Sequence, residues 1–359
     1  MRDGFEDEAA EDIRQRLTYP FDVTPALGEA VDLAPGIKWL RMPLSGSLAF
    51  INVWAIAEDG GWAIVDTGLG GEATRQTWRD AIAGPLEGKP VTRVFVTHLH
   101  PDHIGMAGWL TRKFDCRLWI SRLEFLMCHS LAADSGREAP SDALRFYRAA
   151  GFTEDQTESY RARFGQFGKA LHKLPDSYQR LSDGDEVKIG DHIWRVVVGS
   201  GHSPEHACLY CPDLKVMISG DQVLPKISSN VSVFPTEPQA DPLTDWLTSL
   251  ARIKTLVPSD VLVAPAHNEP FYGLHARIDR LIGGHERSLF RLRKLIEEPK
   301  RAVDVFSVLF RRPIDDSVIG MATGESIAHL NCLMSRGHAT RIRDAAGVDW
   351  YQANSAEAA

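Results

Sequence analysis

One short stretch of the chain concentrates three imidazoles and a carboxylate, and it reads Thr97-His98-Leu99-His100-Pro101-Asp102-His103. The apolar, β-branched run 91–97 leads into it, so the histidines are predicted to lie at the C-terminal end of a strand. Histidine and aspartate suit Zn²⁺ or Fe²⁺, and a tight turn after a strand can direct alternate side chains toward one point. A lone histidine is more often structural or exposed. This density of candidate ligands instead predicts a metal site.

Four further motifs carry a histidine or an aspartate at a predicted strand end. They are Val65-Asp66-Thr67-Gly68, Gly201-His202-Ser203-Pro204-Glu205-His206, Ser219-Gly220-Asp221 and Pro265-Ala266-His267-Asn268. Together with the first motif, and in this order along the chain, they resemble the signature of the metallo-β-lactamase fold superfamily of metallohydrolases. The resemblance covers residues 45–270. Several motifs in the right order are far more specific than any one of them alone.

The resemblance implies a site with two metal ions. The residues expected to bind the first ion are His98, His100 and His202. The residues expected to bind the second ion are Asp102, His103 and His267. Asp221 is expected to bridge the two ions, and a hydroxide held between them would be the nucleophile, because the ions bring its pKa toward neutrality. Asp102 and Asp221 are the expected catalytic residues, and Asp66 resembles the carboxylate that fixes the ligand loop by hydrogen bonds.

The metals implied by the resemblance are two zinc ions, with iron or manganese as alternatives. The pattern around the motifs predicts an α/β fold. A hairpin is expected over 48–65, a helix over 72–82, and further strands over 185–189, 193–198, 207–211, 216–218 and 261–264. The resemblance implies that residues 1–273 form the four-layer αββα sandwich of the metallo-β-lactamase fold.

Residues 121–180 are rich in Arg, Glu, Ala and aromatic side chains, and they are predicted to be a helical insertion in that domain. Their aromatic and Met side chains could roof an apolar substrate pocket, although such stripes are more often ordinary helix packing. Residues 274–359 are predicted to form a small C-terminal domain that is helical and winged-helix-like. Its expected elements are helices over 274–295 and 326–336 and a hairpin over 337–351.

Composition places the chain among globular proteins of a reducing compartment. Of its 359 residues, 44% are hydrophobic and 25% are charged, which is enough for a sizeable core. Five scattered cysteines do not suggest a disulfide framework. No apolar run reaches the ~20 residues of a membrane span, and the acidic segment 1–16 is unlike a signal peptide. A cytoplasmic protein without a membrane partner is predicted.

The net charge of −8 indicates which kinds of molecule the protein can bind. An acidic surface repels a phosphate backbone, so nucleic acid is a disfavoured partner and a small-molecule substrate is favoured. The C-terminal region 286–345 has only slightly more Lys and Arg than Asp and Glu, whereas a winged helix that binds nucleic acid is expected to be more basic. This region is predicted to be a lid or an appendage that forms a homodimer.

Three other features are interpreted as supporting the fold rather than as separate sites. Cys208-Leu209-Tyr210-Cys211 has the spacing of a zinc or redox motif, but a zinc ribbon needs a second pair. The glycine-rich run 68–71 lacks the Lys-Ser/Thr ending of a phosphate loop. His206 lies close to His202, and with the ligand positions already filled it is expected to support them.

The complete ligand set favours a dinuclear hydrolase. The mononuclear iron dioxygenases of this fold resemble the sequence only at His98, His202 and Asp221, and they need no second metal site. The flavodiiron branch has different residues in the first motif. True β-lactamases usually have an export signal, so these three branches are disfavoured. The favoured substrate is a small or medium organic ester or thioester, of the glyoxalase II type or acyl-coenzyme A-like. A lactonase and a phosphodiesterase or endoribonuclease of the same fold stay open, while a noncatalytic metal-binding protein is disfavoured.

Overall fold

The computed structural model describes residues 17–46, 48–311 and 313–354. The acidic segment 1–16, on which the predicted location partly depends, lies outside these residues. The chain divides into two compact units. The first comprises Met1–Ser135, Gln166–Ser229 and Leu250–Asp279, and the second comprises Gly136–Gly165, Asn230–Ser249 and Arg280–Ala359.

The first unit contains a seven-stranded sheet with the order β1-β2-β3-β4-β5-β6-β7. Its strands are β1 (Val31–Ala34), β2 (Ile37–Pro43), β3 (Phe50–Glu58), β4 (Gly61–Val65), β5 (Val91–Phe95), β6 (Arg117–Ser121) and β7 (Gln179–Leu181). Strands β1 to β4 pair antiparallel, whereas β4 to β7 pair parallel. The carboxyl ends of β4 to β7 therefore lie at one edge of this sheet.

A second sheet of the same unit has five strands in the order β12-β11-β10-β9-β8. Its strands are β8 (Glu186–Ile189), β9 (His192–Gly199), β10 (His206–Cys211), β11 (Val216–Gly220) and β12 (Leu262–Pro265). Only β11 and β12 pair parallel in this sheet. Strands β10, β11 and β12 are buried along their whole length, as strands covered on both faces are.

The two sheets share an apolar core, and helices cover the other face of the seven-stranded sheet. Along β3, Trp54 and Ile56 join the core between the sheets, whereas Val53 and Ala55 join the cluster under the helices. This alternation is the period of two that a strand imposes on its side chains. The helices in that cluster are α1 (Glu72–Ala83), α2 (Pro101–Ile104), α3 (Ala107–Phe114) and α4 (Arg122–Ala133).

The second unit contains helices and a hairpin. They are α5 (Ser141–Ala150), α6 (Glu154–Arg163), α9 (Phe306–Leu309), α10 (Ile319–Ser335), β13 (Ala339–Arg343) and β14 (Asp349–Ala353). Two longer helices, α7 (Pro242–Leu256) and α8 (Leu274–Leu295), have residues in both units, and short 3₁₀ turns lie at Phe167–Ala170 and Ala302–Val305. None of the helices in the described ranges is long and apolar enough to span a bilayer.

Much of the predicted architecture is confirmed. The protein is an α/β protein whose two sheets are packed with helices, and its C-terminal region is helical. The helix predicted over 274–295 has these bounds, and the hairpin predicted over 337–351 is β13–β14. The helix predicted over 326–336 is the C-terminal part of α10, which begins earlier, at Ile319. The domain ranges 1–273 and 274–359 stay a prediction.

The segment 121–180 is helical over much of its length, but it does not belong to one unit. In the first unit, Phe125 stacks on Tyr178 with ring centroids 4.0 Å apart. In the second unit, Tyr147 packs against Phe152 and Tyr160, with centroids 4.8 and 4.4 Å away. These side chains therefore fall into separate apolar clusters. A roof over a substrate pocket stays a prediction.

Candidate metal centre

The candidate site residues all lie in the first unit, in the segments that follow strands. Asp66 follows β4, the motif His98-Leu99-His100-Pro101-Asp102-His103 follows β5, His202 follows β9, Asp221 follows β11 and His267 follows β12. Loops at the carboxyl ends of buried strands are held by a rigid scaffold. The site is therefore built from local sequence motifs that the two sheets bring together.

The first cluster consists of His98, His100, His202 and Asp221, whose candidate ligand atoms all lie within 4.8 Å of one another. The Nε2 atom of His98 lies 2.9 Å from His100 Nδ1 and 3.2 Å from His202 Nε2. The Nε2 atom of His202 lies 3.3 Å from Asp221 Oδ2. Three imidazole nitrogens and one carboxylate oxygen thus converge on a common region.

The second cluster consists of Asp102, His103 and His267, again with candidate ligand atoms within 4.8 Å. The Asp102 Oδ2 atom lies 3.4 Å from His267 Nε2 and 3.8 Å from His103 Nε2. Asp221 also faces this cluster, since its Oδ1 lies 3.5 Å from His267 Nε2 and its Oδ2 lies 3.6 Å from His103 Nε2. The Asp221 carboxylate therefore stands between the two clusters.

Hydrogen bonds behind the ligands orient the rings of the second cluster. The Asp66 carboxylate accepts hydrogen bonds from His103 Nδ1, from the Thr97 amide and from the Thr97 hydroxyl, each at 2.8 Å. His267 Nδ1 donates to the Phe50 carbonyl oxygen at 3.2 Å. When each ring is neutral, Nδ1 carries its one proton in these bonds, and Nε2 then has a lone pair facing the cluster.

The backbone around Asp221 is fixed from behind by His206. The His206 Nε2 atom accepts a hydrogen bond from the Asp221 amide at 3.0 Å, and its ring stacks on His98 with centroids 4.7 Å apart. Gly220 has a φ of +49°, and a Cβ atom there would lie 2.5 Å from His206 Nε2. Only glycine permits this approach. His206 thus supports the site from outside both clusters.

Electrostatics differ between the two clusters. Burial, reinforced by the neighbouring imidazoles, lowers the pKa of His98 well below its usual range and lowers that of His100 to about 3. Burial also disfavours protonated His103, but the surrounding aspartates outweigh it and hold the pKa of this ring well above normal. Burial opposes ionisation of Asp221, yet His103 and His267 hold its pKa well below the usual value. The imidazoles of His98 and His100 are consequently neutral at neutral pH.

The residues present fit divalent metal ions. Two deeply buried atoms, His103 Nε2 and Asp221 Oδ1, have no hydrogen-bond partner within the described ranges, although buried polar atoms normally have one. Both atoms face the clusters. Imidazole nitrogens and carboxylate oxygens are also the ligands that zinc and iron(II) accept in proteins. A cation between these groups would satisfy the two orphaned atoms.

Two polar side chains that hold the ligand loops were not predicted from the sequence. Asn52 on β3 donates through Nδ2 to the carbonyls of Pro265 and Asn268, at 2.8 and 2.6 Å, on either side of His267. Glu124 on α4 accepts the backbone N–H groups of two other ligand loops. Asn52 and Glu124 are each a polar residue next to apolar ones, and this local contrast is the sequence signal that could have indicated their role.

A two-sheet α/β fold with a histidine and aspartate cluster at its strand ends is the arrangement of a metal-dependent enzyme. The chain belongs to the metallo-beta-lactamase superfamily of hydrolases, whose sequence model matches residues 46–267. Residues 289–354 match the model described as the metallo-beta-lactamase-like C-terminal domain. The recognition made from the ordered motifs is therefore confirmed.

Relatives of this chain include proteins of known structure and of assigned activity. A beta-lactamase domain protein from Burkholderia ambifaria is 40% identical, with a TM-score of 0.88 over 96% of this chain and 100% of that one. An acyl-coenzyme A thioesterase, MBLAC2 of Gallus gallus, is 25% identical over 67% of this chain and 80% of its own length. A hydroxyacylglutathione hydrolase of Rhodopseudomonas palustris is 25% identical over 38% of this chain and 35% of its own length.

Proposed function

We propose that the protein is a thioester hydrolase with a dinuclear metal centre. The observation that carries this proposal is the position of the Asp221 carboxylate, which offers Oδ2 to His202 and Oδ1 to His267 and thus faces both clusters. The acyl-coenzyme A thioesterase and hydroxyacylglutathione hydrolase relatives both act, by their names, on thioesters, and they support this substrate class.

The proposed ligands follow the two clusters. His98, His100 and His202 would hold one ion, Asp102, His103 and His267 would hold the other, and Asp221 would bridge them. Divalent ions in such a centre supply Lewis-acid polarisation of a carbonyl and a deprotonated water at neutral pH. Zinc is the metal that we propose, with iron or manganese as alternatives, because the donors are nitrogen and oxygen atoms.

The remaining roles belong to the chain's own side chains. Asp66 would keep the His103 proton on Nδ1, and the Phe50 carbonyl would do the same for His267, so that both Nε2 atoms stay available as ligands. Asp102 and Asp221 are the proposed catalytic carboxylates. The Asp102 side chain is 23% exposed and that of Asp221 is 10% exposed, so Asp102 stands at the more open side of the centre.

The substrate class can be tested with the protein loaded separately with zinc, manganese and iron. We expect kcat/KM for acyl-coenzyme A or S-acylglutathione thioesters to exceed that for bis(p-nitrophenyl) phosphate by more than about 100-fold, or about 2.7 kcal/mol of differential transition-state stabilisation. Lactones belong in the same panel. A preference for the phosphodiester, or for a lactone, would replace the thioesterase proposal with that activity.

Location and assembly are further proposals. All five cysteines are free thiols, four of them buried, which supports the reducing cytoplasm as the location. The acidic net charge supports a small-molecule substrate rather than nucleic acid. A homodimer formed through the C-terminal region remains a prediction.

A further inference from the structure

Glu124 is a buried carboxylate in the first turn of α4, and it is not a member of either ligand cluster. Its residue is 0% exposed. The side chain reaches two separate loops of the same unit. Oε2 accepts the Leu99 amide at 2.9 Å, and Oε1 accepts the Glu205 amide at 2.8 Å. One side chain therefore ties two distant parts of the sequence together.

Both loops carry ligands of the first cluster. Leu99 lies between His98 and His100 in sequence, and Glu205 lies in the same turn as His202. The directions of the three imidazoles depend on the paths of these two backbone segments. A carboxylate that accepts one amide from each segment fixes the separation of the two segments.

A second set of contacts joins the start of α4 to the loop that carries His202. The Glu205 carboxylate accepts the Leu123 amide at 2.8 Å, and the Ser121 hydroxyl donates to the Glu205 carbonyl at 2.7 Å. The α4 N-terminus and this loop thus hold each other by reciprocal hydrogen bonds. These contacts fix the backbone on either side of Glu124 relative to the loop that carries His202.

We propose that Glu124 is the positioning residue of the first cluster, which holds the His98–His100 loop and the His202 loop at the separation that a metal ion needs. Asp66 plays the corresponding part for His103 in the second cluster. The inference rests on the proposed ligand set. In it, one buried carboxylate, Glu124, positions the ligands of the first ion, and another, Asp66, orients a ligand of the second.

The chemistry of the carboxylate explains why this position needs an acid. A carboxylate can accept at both oxygens, so it satisfies two converging N–H groups. Glutamine has the same shape but can accept these hydrogen bonds only through its single oxygen. Its NH₂ group would face the other backbone N–H, that of Leu99 or of Glu205, and two donors cannot form a hydrogen bond. Glu124→Gln therefore separates one loop from the side chain without creating a cavity.

The first test is the metal affinity of Glu124→Gln, measured by elemental analysis after titration with a chelator. We expect one of the two ions to bind 10–100-fold more weakly than in the wild type, and the other to be unchanged. The matched control is Glu325→Gln, which changes a half-buried carboxyl that accepts a hydrogen bond from Asn230 Nδ2 at 2.8 Å in the second unit. Unchanged affinity for both ions in Glu124→Gln would overturn the proposal.

The second test uses the wild-type full chain, so it does not depend on how the variant folds. Hydrogen exchange is measured at the Leu99 and Glu205 amides with metal present and after chelation. We expect both amides to stay protected in both states, because they donate to a buried carboxylate. Loss of their protection on chelation would contradict a loop separation set by Glu124. This holds whether or not the amide of Leu209, in the buried strand β10, also loses protection.

These readouts are independent of the substrate. A protein that binds two ions and hydrolyses no thioester would refute the proposed activity, and both measurements on Glu124 would keep their expected results. Conversely, a thioesterase whose Glu124→Gln variant binds both ions normally would refute only the positioning role.

Discussion

Asp221→Ala is expected to lower kcat/KM by more than about 100-fold, because loss of a residue behind the ligands already costs 10–100-fold and Asp221 faces both clusters directly. The variant should also lose bound metal. Removing this carboxylate leaves His103 and His267 without the charge that offsets them, and it would leave the two proposed ions without their proposed bridge. Steady-state kinetics and elemental analysis on the same preparation measure both effects.

The matched control for this variant is Asp260→Ala. Asp260 lies two residues before β12, is exposed, and pairs with Lys215 at 2.5 Å on the surface. Exposed ion pairs contribute little to stability, so this variant should keep its metal and its activity. Wild-type activity in Asp221→Ala would refute the shared role of that carboxylate.

Asp66→Asn is expected to lower metal affinity or activity by 10–100-fold. The asparagine amide would face His103 Nδ1, so this ring would have to accept there and carry its proton on Nε2. The proton would then occupy the atom that faces Asp102 and Asp221. Asp66 has a φ of 61°, which asparagine also tolerates, so the backbone should be undisturbed.

The measurement for Asp66→Asn is the number of ions retained during dialysis, together with kcat and KM. We expect kcat to fall with little change in KM, because Asp66 is 1% exposed and cannot touch a substrate. Asp32→Asn, at an exposed residue of β1 that pairs with Lys38, is the control. Full metal retention in Asp66→Asn would show that the tautomer of His103 does not depend on this carboxylate.

The candidate ligand positions could be identified in the sequence because each one belongs to a short motif at a strand end. His98, His100, Asp102 and His103 need only one strand and one turn to come together. The convergence of His202, Asp221 and His267 on them depends on the pairing of distant strands, and only the order of the motifs, through the family resemblance, indicated it. The structure brings these residues into the two clusters.

Other features could not be predicted because their signals are not local. Strand β2 has Lys38 and Arg41 among its apolar residues, and β7 is three residues long, so neither has a clear strand pattern. Helical periodicity in 121–180 identifies an apolar face, but not the unit against which that face packs. The role of Glu124 depends on its hydrogen bonds with the Leu99 and Glu205 amides, and both residues are far from it in sequence.

Metal stoichiometry tests the central claim most directly. The full chain is purified without chelator, saturated with zinc, and freed of loosely bound metal, and the bound metal is measured by elemental analysis against protein concentration. Two clusters with the Asp221 carboxylate between them predict two equivalents per chain. A stoichiometry that stays at one under saturating metal would contradict the dinuclear centre.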